Sequence, residues 1–101
     1  MVNKPYQVVW TKRSLLQLKA AYKYIFKDSP QNAGMVVNDI AKAVGKAVSN
    51  AEFYAPDKYK INNDGSYRAF EKHSYRISYK VTKMTIVVLR VRHTKLEPKP
   101  F

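Results

Sequence analysis

Apolar residues in this chain recur at two different periods, and the change from one to the other comes at Gly65. Before it, Leu15, Leu18, Tyr22 and Ile25 follow one another at spacings of three and four, with Leu16 and Phe26 widening the stripe. Ala33, Val36, Val37, Ile40, Val44 and Val48 repeat the pattern further on. Such spacing gathers side chains on one side of a helix. After Gly65 the alternation is by two, as in strands with one buried face. Helices collected ahead of a run of strands make an α+β chain, because each helix must bury its stripe against something and the sheet offers a face.

The punctuation fits that division. Tyr6-Gln7-Val8-Val9-Trp10 is a short β-prone run behind Pro5, and Thr11 offers a capping hydroxyl to a helix starting at Lys12. Asp28-Ser29-Pro30 stops this helix and starts another, with Ser29 as cap and Pro30 at the first helical position, where a missing N–H costs nothing. So short a joint predicts an antiparallel helical hairpin, and Ala41, Ala43, Gly45 and Ala47 allow close packing. Residues 54–66 hold Pro56, Asn62, Asn63, Asp64 and Gly65 and read as a loop ending in a tight reversal. Three strands follow, Tyr67–His73, Tyr75–Val81 and Thr85–His93, with turns near Ser74 and at Lys83-Met84. The tail from Thr94 to Phe101, with Pro98 and Pro100, is expected to be extended. The order is β-α-α-β-β-β: a helical hairpin on one face of a small, mainly antiparallel sheet whose other face is left as a working surface. The 101 residues suit one domain, 1–101.

Charge narrows the partners. The net charge is +12, with eight bases to two acids in residues 1–50 and eleven to five in residues 51–101, so each half carries +6. The excess therefore belongs to the folded body, and it favours polyanions or acidic proteins. Without cysteine there is no disulfide or thiolate zinc site. His73 and His93 stand alone and make no metal constellation, so neither metal nor cofactor is expected. No apolar run reaches signal-peptide or membrane-span length, which makes a cytoplasmic protein with no membrane partner the expectation.

The strands interleave arginine with apolar residues at Arg68, Arg76, Arg90 and Arg92. Alternation places Tyr75, Ile77, Tyr79 and Val81 on one face and Arg76, Ser78 and Lys80 on the other. A hairpin turning at Lys83-Met84 pairs Val81 with Ile86 and, carried on, sets Arg76 opposite Val91 and on the side of His93. A loop one residue longer or shorter reverses that comparison. Arginine and histidine on one open face are the groups that metal-free phosphodiester chemistry would use, a fixed fork for phosphate and a proton carrier. A solvated, salt-bridged face accounts for the same pattern. Glu71-Lys72-His73 is a further charged strand end beside a turn.

In Tyr6–Arg13, Asp28-Ser29-Pro30, Tyr67-Arg68-Ala69-Phe70, Tyr75–Tyr79 and Ile86–His93, in that order and spacing, the chain resembles the RelE/ParE superfamily along almost its whole length. The resemblance implies a toxin of a type II toxin–antitoxin system, neutralised by a cognate acidic antitoxin. By target, it implies first a metal-independent, ribosome-dependent mRNA endonuclease, with the ribosome and mRNA as partners. Arg76 would then steady the transition-state phosphate, His93 would serve as acid or base, and Asp57, after Pro56, would stand at the place of the family's glutamate base. Arg68, Lys72, Arg90, Arg92 and Lys95 would bind RNA phosphate. Thr94 departs from the nuclease pattern, which has an aromatic there; Lys95 or Phe101 would have to supply the positioning. The alternatives are a ParE-like inhibitor of DNA gyrase with no catalytic activity, or an inactive homologue that only binds its antitoxin.

Overall fold

The computed structural model describes residues 6–96 and 99–101. Strand β1 (Gln7–Trp10) leads into helices α1 (Lys12–Phe26) and α2 (Pro30–Ser49), followed by β2 (Tyr67–Lys72), β3 (Tyr75–Val81) and β4 (Thr85–His93). The sheet order is β1-β4-β3-β2, antiparallel except where β1 runs parallel to β4. This is the α+β arrangement expected, with the helical hairpin on one face. Pro5 and Pro98 lie outside the described residues.

Both caps work as their chemistry requires. Thr11 Oγ1 accepts from the Ser14 amide at 3.1 Å and Ser29 Oγ from the Asn32 amide at 3.1 Å, each satisfying an amide that the first helical turn leaves without a partner. Between them, three residues turn α1 back into α2.

The apolar face of α1 differs from the expected one. Ser14 and Ala21 are buried and Leu18 and Ile25 pack against the core, whereas Leu15 is 51% and Tyr22 37% exposed. Residues 14, 18, 21 and 25 obey the same spacing of three and four and keep Leu18 and Ile25, with Ser14 and Ala21 in place of Leu15 and Tyr22. Ser14 and Ala21 are small, and presenting them lets α1 approach the sheet. Ser14 loses no hydrogen bond by burial, since its hydroxyl donates to the Thr11 carbonyl at 2.9 Å. The larger stripe, with Tyr22 and Phe26 in ring contact at 5.6 Å, is left on an exposed flank. α2 buries Ala33, Val36, Ile40, Ala43, Val44 and Ala47, with Val37 and Val48 only half-buried. These pack on Ile77, Tyr79, Ile86, Val88 and Val91 of the sheet, each large aliphatic side chain contributing about 1.5–3 kcal/mol.

The loop after α2 is fastened by side chains. Tyr79, 1% exposed, donates its hydroxyl to the Ala51 carbonyl at 3.0 Å, and burial pushes its phenol up to about 12. Asn63 donates to the carbonyls of Asp57 and Tyr67 and accepts from the amides of Gly65 and Tyr67, which closes the reversal ahead of β2. Gly65, at φ 97°, takes a conformation that only glycine adopts without strain.

The β2–β3 turn is a two-residue loop in which His73 (φ 51°) and Ser74 (φ 66°) are both left-handed, the geometry that matches sheet twist but favours Asn-Gly. His73 Nε2 meets Asp39 Oδ2 at 2.6 Å, tying this turn to α2. That hydrogen bond holds the Asp39 carboxyl below its ordinary value of 3.8. A lowered carboxyl stabilises the fold above the ordinary value and ceases to do so as pH falls through the lowered one. Asp39→Asn is therefore expected to remove a component of the acid limb of a stability–pH curve and leave its neutral-to-basic limb in shape. Ser74→Gly should raise stability by about 1 kcal/mol, read as a higher denaturant midpoint at unchanged slope.

Candidate functional site

β3 and β4 do not pair as the sequence led us to expect. Val81 does face Ile86, and the register holds to Tyr79 opposite Val88; then Ser78 meets Arg90, and Leu89 is an extra residue with no partner. Beyond this β-bulge Arg76 stands opposite Arg92, not Val91, and His93 stands opposite Tyr75. Cross-strand partners share a face, so the shift brings Arg76, Arg90 and Arg92 together on the open side. It also turns His93 toward the helical side, where its ring meets Tyr75 edge-on at 5.1 Å. The alternation rule was sound; one inserted residue reversed its outcome.

Helix α1 supports the bulge. β1 ends at Trp10, so β4 loses its parallel neighbour just where the extra residue sits. The Thr11 amide donates to the Val88 carbonyl at 3.1 Å, and Gln17 Oε1 accepts from the Val91 amide at 2.8 Å. A side chain thus replaces the missing strand for a half-buried amide.

Arg76 is the centre of the open face. Its Nη2 donates to Asp57 Oδ1 at 2.8 Å, its Nη1 lies 3.4 Å from Glu71 Oε2, and its guanidinium lies 4.7 Å from the centroid of the Tyr59 ring. The Asp57 side chain is fully buried. Oδ1 also accepts from the Tyr59 amide at 3.0 Å, while Oδ2 is buried with no donor among the described residues. Arg90 lies 3.9 Å over the Phe101 ring. Phe101 is held in place by its own amide, which donates to the Tyr59 carbonyl at 2.9 Å, and by its carbonyl, which accepts from Ile61. Lys60 and Lys80 sit at 4.7 and 5.1 Å from the Tyr67 ring. Burial first, and then the charge of Arg92, lowers the pKa of Arg90.

Of the residues singled out from the sequence, Arg76, Arg90, Arg92, Asp57 and His93 line one cavity of about 100 Å³. Arg68 lies on the other face, donating to the carbonyls of Tyr54 at 2.7 Å and Gly65 at 3.0 Å, so it staples the loop to β2. Lys72 closes the β2 end of a separate groove along α2, and Lys95 is exposed past β4. His93 Nδ1 accepts from the Lys95 amide at 3.0 Å, which leaves the ring proton on Nε2. Tyr59, Glu71, Ser78, Thr94, Leu96 and Lys99 complete the cavity. Nothing periodic marks Tyr59, which arrives through the fold of the loop. In the sequence Glu71 stands out only as part of a charged strand end. Among the described residues no three His, Cys, Asp or Glu side chains converge as a metal site, and no helix is long and apolar enough to cross a membrane.

A family model described as ParE toxin of the type II toxin–antitoxin system, parDE, matches residues 8–97. No curated protein sequence matches the chain. Solved structures that share the fold include three toxin–antitoxin proteins. One, of the chromosomal ParDE toxin–antitoxin system from P. aeruginosa, matches at TM-score 0.69 and 21% identity, over 90% of this chain and 98% of that one. The RelBE2 toxin–antitoxin complex from Mycobacterium tuberculosis matches at TM-score 0.58 and 20% identity, over 88% and 98%. The YoeB dimer from Staphylococcus aureus matches at TM-score 0.57 and 15% identity, over 88% and 97%.

The Arg76–Asp57 contact has the form of a buried ion pair, and breaking one costs more than the pair contributes because a charge is left uncompensated. Arg76→Ala is expected to cost about 3–5 kcal/mol, and the double substitution Arg76→Met with Asp57→Leu to recover most of it. Denaturant midpoints decide: an Arg76 needed only for function would leave stability within about 0.5 kcal/mol of the parent.

Proposed function

The chain belongs to the ParE toxin family of type II toxin–antitoxin systems, and from that premise we propose that it poisons by binding, with DNA gyrase as its target and no RNA cleavage. The observation that carries this reading is the state of the Arg76–Asp57 pair. Cutting RNA without a metal needs a base with access to the 2′-hydroxyl and a cation free to meet the developing charge. Asp57 has no exposed side-chain surface and spends Oδ1 on Arg76 and the Tyr59 amide. Arg76 is held by two carboxylates. His93 packs edge-on against Tyr75 at the cavity wall, and its Nδ1 is taken up by the Lys95 amide.

What this leaves on the open face is a rigid set of arginines and lysines packed against Tyr59, Tyr67 and Phe101. Arginine and tyrosine are the side chains that most often dominate protein interfaces, since they offer large contact area with few rotamers to freeze. A neutralising antitoxin is the second partner. Its acidic character would answer the +12 charge, and the exposed flank of α1 at Leu15, Tyr22 and Phe26 offers apolar anchors beside Lys19.

Two assays test this. Purified protein is expected to inhibit gyrase-driven supercoiling and to leave mRNA on translating ribosomes intact by primer extension. New 5′ ends in the ribosomal A site would overturn the reading in favour of the nuclease. His93→Gln supplies an independent check. A general acid or base contributes about 10²–10⁴-fold, so a nuclease relying on His93 would lose toxicity by that factor. Toxicity is expected to fall by less than about threefold if the residue only packs on Tyr75.

A further inference from the structure

The cavity on the open face, about 100 Å³, has four cationic side chains on its wall, Arg76, Arg90, Arg92 and Lys99, and two carboxylates, Asp57 and Glu71. Both carboxylates are engaged with Arg76. Among the described residues neither Arg90 nor Arg92 has a carboxylate within ion-pairing distance. Arg92 is moreover the direct cross-strand partner of Arg76. Like charges placed opposite each other on a sheet are destabilising, and here both strands hold them half-buried. The bulge at Leu89 imposes the clustering, and among the described residues ion pairs answer only the Arg76 charge.

A small dianion is the ligand that relieves such an arrangement, and the cavity's size decides which kind. Pockets for whole small molecules run to about 300–1,000 Å³; this one takes a single tetrahedral group and leaves a sugar and base outside. Guanidinium forks match phosphate oxygens two by two. A phosphate monoester, whose second ionisation falls near pH 6, carries that double charge at neutral pH, which an internal diester does not. We propose that this cavity is a binding site for one terminal phosphate monoester, on a free nucleotide or at the 5′ end of a nucleic acid strand, with Arg90 and Arg92 as its forks. The site stands whether or not the toxin cuts its target, since the monoester is bound and not transformed.

The experiment is calorimetric titration of the full chain at fixed ionic strength with three ligands: a 5′-phosphorylated hexadeoxynucleotide, the same strand with a 5′-hydroxyl, and adenosine monophosphate. The phosphorylated strand is expected to bind one-to-one and at least about tenfold tighter than the hydroxyl strand, a tenfold ratio being about 1.4 kcal/mol. Arg92→Gln should abolish the preference. Lys23→Gln, which removes the same charge from the exposed face of α1, should keep it, and Glu71→Gln should sharpen it by lifting a repulsion at the rim. Nucleotide binding close to that of the phosphorylated strand assigns the site to free nucleotides, and much weaker nucleotide binding assigns it to strand ends; both support the proposal. Equal affinity for the two strands overturns it, because internal diesters would then suffice. Equal losses in Arg92→Gln and Lys23→Gln also overturn it, by reducing the effect to net charge.

Discussion

Leu89, the extra residue in β4, fixes the side of the sheet on which the last turn of that strand and its partners across β3 display their side chains. Side chains alternate with a period of two, so a single insertion exchanges the faces of everything beyond it. Here it converts a strand that would have set Val91 opposite Arg76 into one that sets Arg92 there, with Arg90 opposite Ser78. The insertion is held by the surroundings of β4: the end of β1 at Trp10, the Thr11 amide on Val88 and the Gln17 side chain on the Val91 amide. The N-terminal strand and the first helix thereby determine the chemistry of a face they do not line.

Three arginines gathered this way need compensation, and the fold provides it unevenly. Arg76 takes both nearby carboxylates and the Tyr59 ring, which makes it part of the architecture that joins the loop to the sheet. Among the described residues Arg90 makes no ion pair and lies over the Phe101 ring, a contact that recovers about 0.5–2 kcal/mol. The working charge of the face therefore resides in Arg90 and Arg92, although Arg76 has the position that pattern-matching would single out. The binding role proposed for the face rests on this division, since Asp57 and Arg76 hold each other in place.

Aromatic residues do the joining elsewhere. Tyr54 stacks on Phe70 at 4.3 Å and donates to the Ala43 carbonyl at 2.7 Å, so one ring links α2, the loop and β2. Tyr79 anchors the same loop from below through Ala51. Phe101 brings the end of the described chain across the sheet to Arg90 and Tyr67. Each ring combines apolar area with, in the tyrosines, a single polar atom that must find a partner once buried. A polar, turn-rich segment is thereby held firmly enough to present Asp57 and Tyr59 at fixed positions.

The element order, both helix caps, the short joint at Ser29-Pro30 and the two strand turns were legible in the sequence, because each rests on local chemistry: a capping hydroxyl, a proline's missing amide, an alternation of period two. So was the basic character of the open face, since alternation within β3 assigns Arg76, Ser78 and Lys80 correctly without knowledge of any neighbour. The choice between two stripes on α1 was not legible. Both have helical spacing, and the nearness of the sheet, which admits Ser14 and Ala21 but not Leu15 and Tyr22, selects between them. Nor was the pairing of Asp57 with Arg76, the arrival of Tyr59 and Phe101, or the company of Arg90 and Arg92. These depend on loop closure and on an unpaired Leu89, non-local events with no periodic trace in the chain. The sequence by itself determined which face of the sheet would be charged; the tertiary structure decided which charges meet there, because a register is a relation between strands and no strand carries it alone.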